Sequence, residues 1–253
     1  MRQLSDGFWN LRGKFKIAGV IDIGTQMSVA RRANGRFIIL DSYSADGADR
    51  EQLLSLTDGG RKVDAIINVH PFHTLHCRAF HGLFPEARLI GTRRHRDKLP
   101  DLPWEQGVIE DAAVQAEFEE DFAFSVPRGV DFICPDESVH VASVLVRHRA
   151  SGIVHVDDTI NVFQPPRLLR AILPQPKLRF HPMLAKALQN RPGAADEYAA
   201  WARLLAEEWS DTRIVCAAHS AIRTLPQGGW RAELLSALDA VEKTLKAHRA
   251  AHR

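Results

Sequence analysis

The chain has 253 residues, of which 45% are hydrophobic and 25% charged, enough apolar material to build a sizeable core in a soluble globular protein. Lys and Arg number 33 against 31 Asp and Glu, and the formal charge of +2 speaks against both a nucleic-acid partner and a membrane surface. Cys77, Cys134 and Cys216 are widely spaced and form no CxxC pair, so no disulfide framework is expected and a reducing cytoplasm is. The segment Met1–Gly7 has no apolar h-region, and no apolar run approaches the ~18 residues a transmembrane helix needs.

Taken in order, residues 15–22 (FKIAGVID) and 26–32 read as strands on either side of a Gly24-Thr25 turn. Residues 36–40 (RFIIL) follow Ala33-Asn34-Gly35, whose Asn-Gly pair is a strong hairpin signal, so the opening reads as an antiparallel meander. Residues 48–58 have helical spacing, 64–69 (DAIINV) form a short buried strand, 74–83 are helical again, and 87–91 (ARLIG) are a strand. That alternation predicts a parallel βαβ unit. A short helix is expected over 92–98, then a less regular stretch punctuated by Pro100, Pro103 and Pro127. Residues 139–147 and 153–156, joined by Ser151-Gly152, read as a hairpin. After Pro165-Pro166 come helical stretches at 166–172, about 181–190 and 194–209, and then 213–217 (RIVCA) as a last buried strand. The tail from Trp230 to about Ala247 is an amphipathic helix with Leu234, Leu235, Leu238, Val241 and Leu245 on one stripe. With no repeat or linker, the chain reads as one domain over 1–253 with a helical insertion at about 165–210, of the α/β class, its sheets flanked by helices.

The chemistry concentrates at strand ends. His70, His73 and His76 fall within seven residues where strand 64–69 stops, the edge at which α/β folds place ligands. His73 and His76, at i, i+3, would share a face of a first helical turn and flank one cation. His140 opens strand 139–147, Asp157 and Asp158 close strand 153–156, and His219 follows strand 213–217. Any one of these histidines alone is more often a helix cap or a packed ring; their joint order points to a site. His155 is in phase with Asp157, Arg93–Arg96 can meet an anionic substrate or line a solvated helix face, and Phe72 and Trp104 read as packing. Cys216 reads as a buried strand thiol rather than a partner for His219. No GxSxG, Walker loop or GxGxxG is present, which leaves serine hydrolase, P-loop and dinucleotide enzymes unsupported.

A His cluster, a strand-borne His, an Asp at a strand end and a late His, in that order, resemble the metallo-β-lactamase superfamily. Ser28–Asp41 is similar to the family's early hairpin, which ends in a strand followed by Asp, and Ser138–Ile160 is similar to its third and fourth motifs. The resemblance implies a four-layer αβ/βα sandwich and metal ligands His73, His76, His140, Asp158 and His219, with Asp158 the carboxylate that bridges two metals in the family. It implies a metal-dependent, hydrolase-like protein in which a metal-bound hydroxide attacks an ester, thioester or similar bond of a small molecule, Asp157 or His70 handling the proton. The chain also departs from the family's His-x-His-x-Asp-His signature. Aligning His73 and His76 with its second and last histidines puts Pro71 in place of the first His and Leu75 in place of the Asp. One ion is therefore expected rather than two, Zn first and Fe or Mn after it, and the alternative is a metal-free, non-catalytic member of the fold that binds or scaffolds. Residues 194–209 and 230–247 offer amphipathic faces for a homodimer.

Overall fold

Burial on both faces draws the N-terminal residues into a sheet that the sequence pattern does not mark. The computed structural model describes residues 1–17, 21–22, 24–163, 177–219 and 221–252. Two units divide them, residues 1–124 with 146–151, and residues 125–145 with 152–253.

In the first unit, β1 (Arg2–Ser5) pairs antiparallel with β2 (Phe8–Gly13). Asn10 is buried within β2 because its amide donates to Gln26 Oε1 at 3.1 Å and Ser28 Oγ at 2.9 Å, so no polar group is stranded there. The strand expected over 15–22 is instead two short strands, β3 (Lys16–Ile17) and β4 (Ile21–Asp22), paired with each other; residues 18–20 lie outside the described set. β5 (Thr25–Arg31) pairs antiparallel with β2 and with β6 (Phe37–Leu40). The Asn34-Gly35 turn joins β5 to β6: Gly35 takes φ 82°, and Arg32 N–H donates to Arg36 O at 2.8 Å. From β6 the chain crosses through α1 (Gly47–Leu56) to β7 (Val63–Ile67), then through α2 (Cys77–Leu83) to β8 (Arg88–Ile90), both pairings parallel. The sheet order is β1-β2-β5-β6-β7-β8. Leu53, Phe80, Phe84 and Ala87 pack on Val29, Phe37, Ile39 and Ile66 in its core, each large side chain worth about 1.5–3 kcal/mol of burial. α3 (Arg93–Lys98) falls where expected, and α4 (Ala112–Ala116), residues 122–124 of β9 (Phe122–Ser125) and 146–148 of β10 (Leu145–His148) also belong to this unit.

Two expectations are corrected here. α2 starts at Cys77 rather than at Thr74, because residues 70–76 spend their hydrogen bonds on turns, His73 N–H to His70 O at 3.1 Å and Thr74 N–H to Phe72 O at 3.0 Å. The strand expected over 139–147 is only β10: residues 139 and 141–144 are buried, but Ser143 N–H donates to Thr159 Oγ1 at 2.8 Å instead of entering a ladder. His140 therefore sits in an irregular segment rather than at a strand's start.

The second unit is built around β11 (Ile153–Val156), whose four residues are all buried. β12 (Ile160–Phe163) and β13 (Lys177–Phe180) form an antiparallel pair, followed by α5 (Leu184–Ala187), shorter than the expected helix at 181–190, and α6 (Ala194–Glu208). The helix expected at 166–172 lies outside the described residues. β14 (Ile214–Ala217) runs parallel to β11, and a further strand, β15 (Ile222–Thr224), pairs antiparallel with β14 before the long α7 (Gly229–Ala251). α7 buries Trp230, Leu234, Ala237, Leu238 and Leu245, and Trp230 Nε1–H donates to Leu205 O of α6 at 3.1 Å. Each unit combines parallel strands with helices, as the α/β class requires. Among the described residues no helix is long and apolar enough to cross a membrane.

Candidate metal centre

In the first unit the polar side chains stand beyond the C-terminal ends of parallel strands. Asp41 follows β6, the histidine loop follows β7, and Thr92–His95 follow β8. Asp41 is buried with φ 61°; its Oδ1 accepts Val69 N–H at 2.9 Å, and its own N–H reaches Ile67 O at 2.9 Å. A carboxylate oxygen of Asp41 and a ring nitrogen of His73 lie within 4.8 Å, a spacing one cation can span.

His70 stacks on His73 with ring centroids 4.1 Å apart, and its Nδ1 accepts Phe72 N–H at 3.1 Å. An accepting Nδ1 leaves the proton of a neutral ring on Nε2, and a ring nitrogen of His70 lies within 4.8 Å of one on His73. α3 supports this loop from behind. Arg94 lies over the Phe72 ring at 4.2 Å and donates to Pro71 O at 3.1 Å. His95 is buried, its Nδ1 accepts Thr92 N–H at 3.1 Å, and its Nε2 faces His73 O at 3.4 Å. Burial pushes the His95 ring down to about 3, against the pull of that carbonyl.

His73 and His76 do not share a helical turn, since α2 begins only after His76. His76 lies edge-on to Tyr43, centroids 4.9 Å apart, with Nδ1 3.1 Å from Ser44 Oγ; burial and then His73 hold its pKa below the ordinary value. Leu75 is 71% exposed. Cys77 is fully buried, and burial with the Asp41 charge pushes its thiol up to about 12.

The second unit repeats the placement. Asp157 and Asp158 follow β11, His219 follows β14, and Ala218 N–H donates to Val156 O at 3.1 Å, holding the two strand ends level. His219 Nε2 stands 3.2 Å from Asp158 Oδ1. His155 Nε2 is 3.9 Å from Asp157 Oδ1, both side chains buried. His140 turns its Nε2 to Glu137 O.

His181, which sequence reasoning passed over, belongs to this group: Asp158, His219 and His140 are the charges it feels, and burial together with the two histidines holds its pKa below the ordinary value while Asp158 opposes them. The signal that could have found it is its likeness to the His70 segment, His181-Pro182-Met183 beside His70-Pro71-Phe72. The donor set, carboxylates and imidazoles at strand ends, fits a borderline divalent cation.

No protein-family model matches the sequence, and no curated protein does. Solved structures do. A metallo-β-lactamase from Erythrobacter litoralis, with beta mercaptoethanol in its active site, aligns over 96% of this chain and 95% of its own at TM-score 0.61 and 18% identity. One from Hirschia baltica aligns over 95% of each chain at TM-score 0.58 and 15% identity. One from Pontibacter korlensis covers 95% and 97% at TM-score 0.58 and 10% identity. The chain has the metallo-β-lactamase fold. Identities of 10–18% make it a divergent example of that fold.

Proposed function

We propose that the protein is a metal-dependent hydrolase acting on an ester, thioester or similar bond of a small molecule. The observation that carries this is the Asp158–His219 pair, 3.2 Å apart beyond the ends of two paired parallel strands. A carboxylate and an imidazole at that spacing can both turn to one divalent cation. Asp158, His219 and His140 are the donors we assign to the ion. Zinc suits imidazole and carboxylate donors, with Fe or Mn accepted by the same atoms. We read one ion rather than two, because Pro71 and Leu75 withhold two donors. When bound, the ion supplies Lewis acidity toward water and the scissile group.

The remaining work falls to the chain. His70 offers Nε2–H as a hydrogen-bond donor to an oxygen of the substrate, its Nδ1 being held by Phe72 N–H. Asp157, buried beside His155, is assigned as the proton acceptor. The buried, unbridged cysteines support a reducing, cytoplasmic setting.

Elemental analysis of the untagged full chain, purified without chelator, tests the reading. About one equivalent of zinc is expected, lost in the His140→Ala, Asp158→Ala double variant together with hydrolysis of p-nitrophenyl esters or acyl thioesters. No metal after reconstitution would sink it and leave a metal-free binding protein.

A further inference from the structure

His70-Pro71-Phe72 and His181-Pro182-Met183 are the same device used twice. In each, imidazole Nδ1 accepts the backbone N–H two residues on, from Phe72 at 3.1 Å and from Met183 at 3.2 Å. The intervening proline fixes φ near −65° and narrows the conformations in which that bond could be lost. A neutral imidazole has one accepting and one donating nitrogen, so both rings are held with the proton on Nε2. Metals bind the unprotonated nitrogen, which at His181 is already engaged.

His181 also has a defined place. The β12–β13 register pairs Ile160 with Phe180, so the next residues, Thr159 and His181, stand level, and His181 lies beside Asp158. The ring is half-buried, and among the described residues no acceptor meets its Nε2–H. A fixed donor that meets no acceptor among the described residues, next to a carboxylate–imidazole pair, is suited to an oxygen that arrives with a ligand.

We propose that His181 is a substrate-binding donor and not a metal ligand, offering Nε2–H to the carboxylate or acyl oxygen of the substrate. The identity of that oxygen rests on the hydrolase reading; the locked tautomer does not.

The test is a long-range ¹H–¹⁵N spectrum of the full chain labelled at histidine, first metal-free, then with zinc, then titrated with sodium acetate as the probe. The expected result is an unprotonated Nδ1 and protonated Nε2 for His181, unchanged by zinc, with a saturable shift of Nε2–H on adding acetate. His181→Ala should weaken acetate binding about tenfold, the size of one charge-assisted hydrogen bond, while His181→Gln, which keeps an N–H, should retain most of it. A proton on Nδ1, loss of the Nε2 proton on adding zinc, or acetate binding indifferent to His181→Ala would overturn the proposal. If zinc perturbs no histidine while the tautomer and the acetate response persist, the hydrolase reading falls and the donor role of His181 stands.

Discussion

Asp41 holds a conformation that few residues other than glycine accept, at φ 61°, and in return its carboxylate satisfies the buried N–H of Val69. Asp41→Ala removes that acceptor and keeps the strain, so it should cost about 2–3 kcal/mol, read as a lower urea midpoint. Asp41→Asn, which keeps an acceptor oxygen and tolerates the left-handed region, should cost under about 1 kcal/mol. His95 sets a pH dependence. Its folded value near 3 lies below the ordinary 6.5, so between those values the unfolded chain binds a proton that the folded chain refuses. Stability is full above that window and falls as the pH drops through it, by up to roughly 1.4 kcal/mol per pH unit from this ring. His148 is lowered too, chiefly by burial, and adds in the same direction. Replacing His95 with Gln should flatten the slope of unfolding free energy against pH; an unchanged slope would show that the ring is not the titrating group. The sequence pattern singled out Asp157, Asp158 and His219, because each lies within two residues of the end of a short apolar strand. It passed over His181 because β13 (KLRF) alternates with exposed Lys177 and Arg179 and does not read as a buried strand with a ligand at its end.

Among the elements, the ones legible in sequence carry local punctuation. Asn34-Gly35 set the β5–β6 hairpin, and the apolar runs of β7 and β14 set buried parallel strands. β1 and β2 escaped because Asn10 and Arg12 interrupt an apolar pattern that Gln26 and Ser28 make tolerable only in three dimensions. Residues 139–147 misled for the opposite reason: the alternation is real, but a side chain, Thr159, takes the backbone N–H of Ser143 that a strand partner would have taken. The start of α6 depends on a glycine elsewhere. Gly129 has φ 72°, and an added Cβ would stand 2.0 Å from Ala194 O, so Gly129→Ala should destabilise by about 3 kcal/mol or more and register as a loss of soluble folded protein. Leu234→Ala, which opens a void on the fully buried face of α7, should cost about 2–4 kcal/mol without altering metal content.

At the scale of the molecule, each unit places its carboxylates and imidazoles beyond the C-terminal ends of parallel strands, the edge where sheet backbone ends and side chains are free to converge on a ligand. An ion held there stabilises the folded state by mass action. At a free zinc concentration about a hundred times Kd the gain is about 2.7 kcal/mol. For a chain of this length that raises Tm by roughly 5–10 °C. Differential scanning calorimetry should show the rise in the native chain, its reversal by chelator, and no rise in the His140→Ala, Asp158→Ala variant. Why so much of the fold but less of the site was readable follows from the same arrangement. Strands and helices announce themselves by local period, whereas the candidate donors are scattered over distant segments.

The burial of Cys77, Cys134 and Cys216 gives the experimenter an unmarked canvas. With the Cys77 thiol pushed up to about 12, hardly any of it is thiolate at neutral pH, and the folded chain should ignore maleimides. A Leu75→Cys variant would then carry a single fluorophore on the histidine loop, at a side chain that is 71% exposed in the parent. Its emission would follow the loop's response to zinc or to a substrate analogue in real time, with no background from the native thiols.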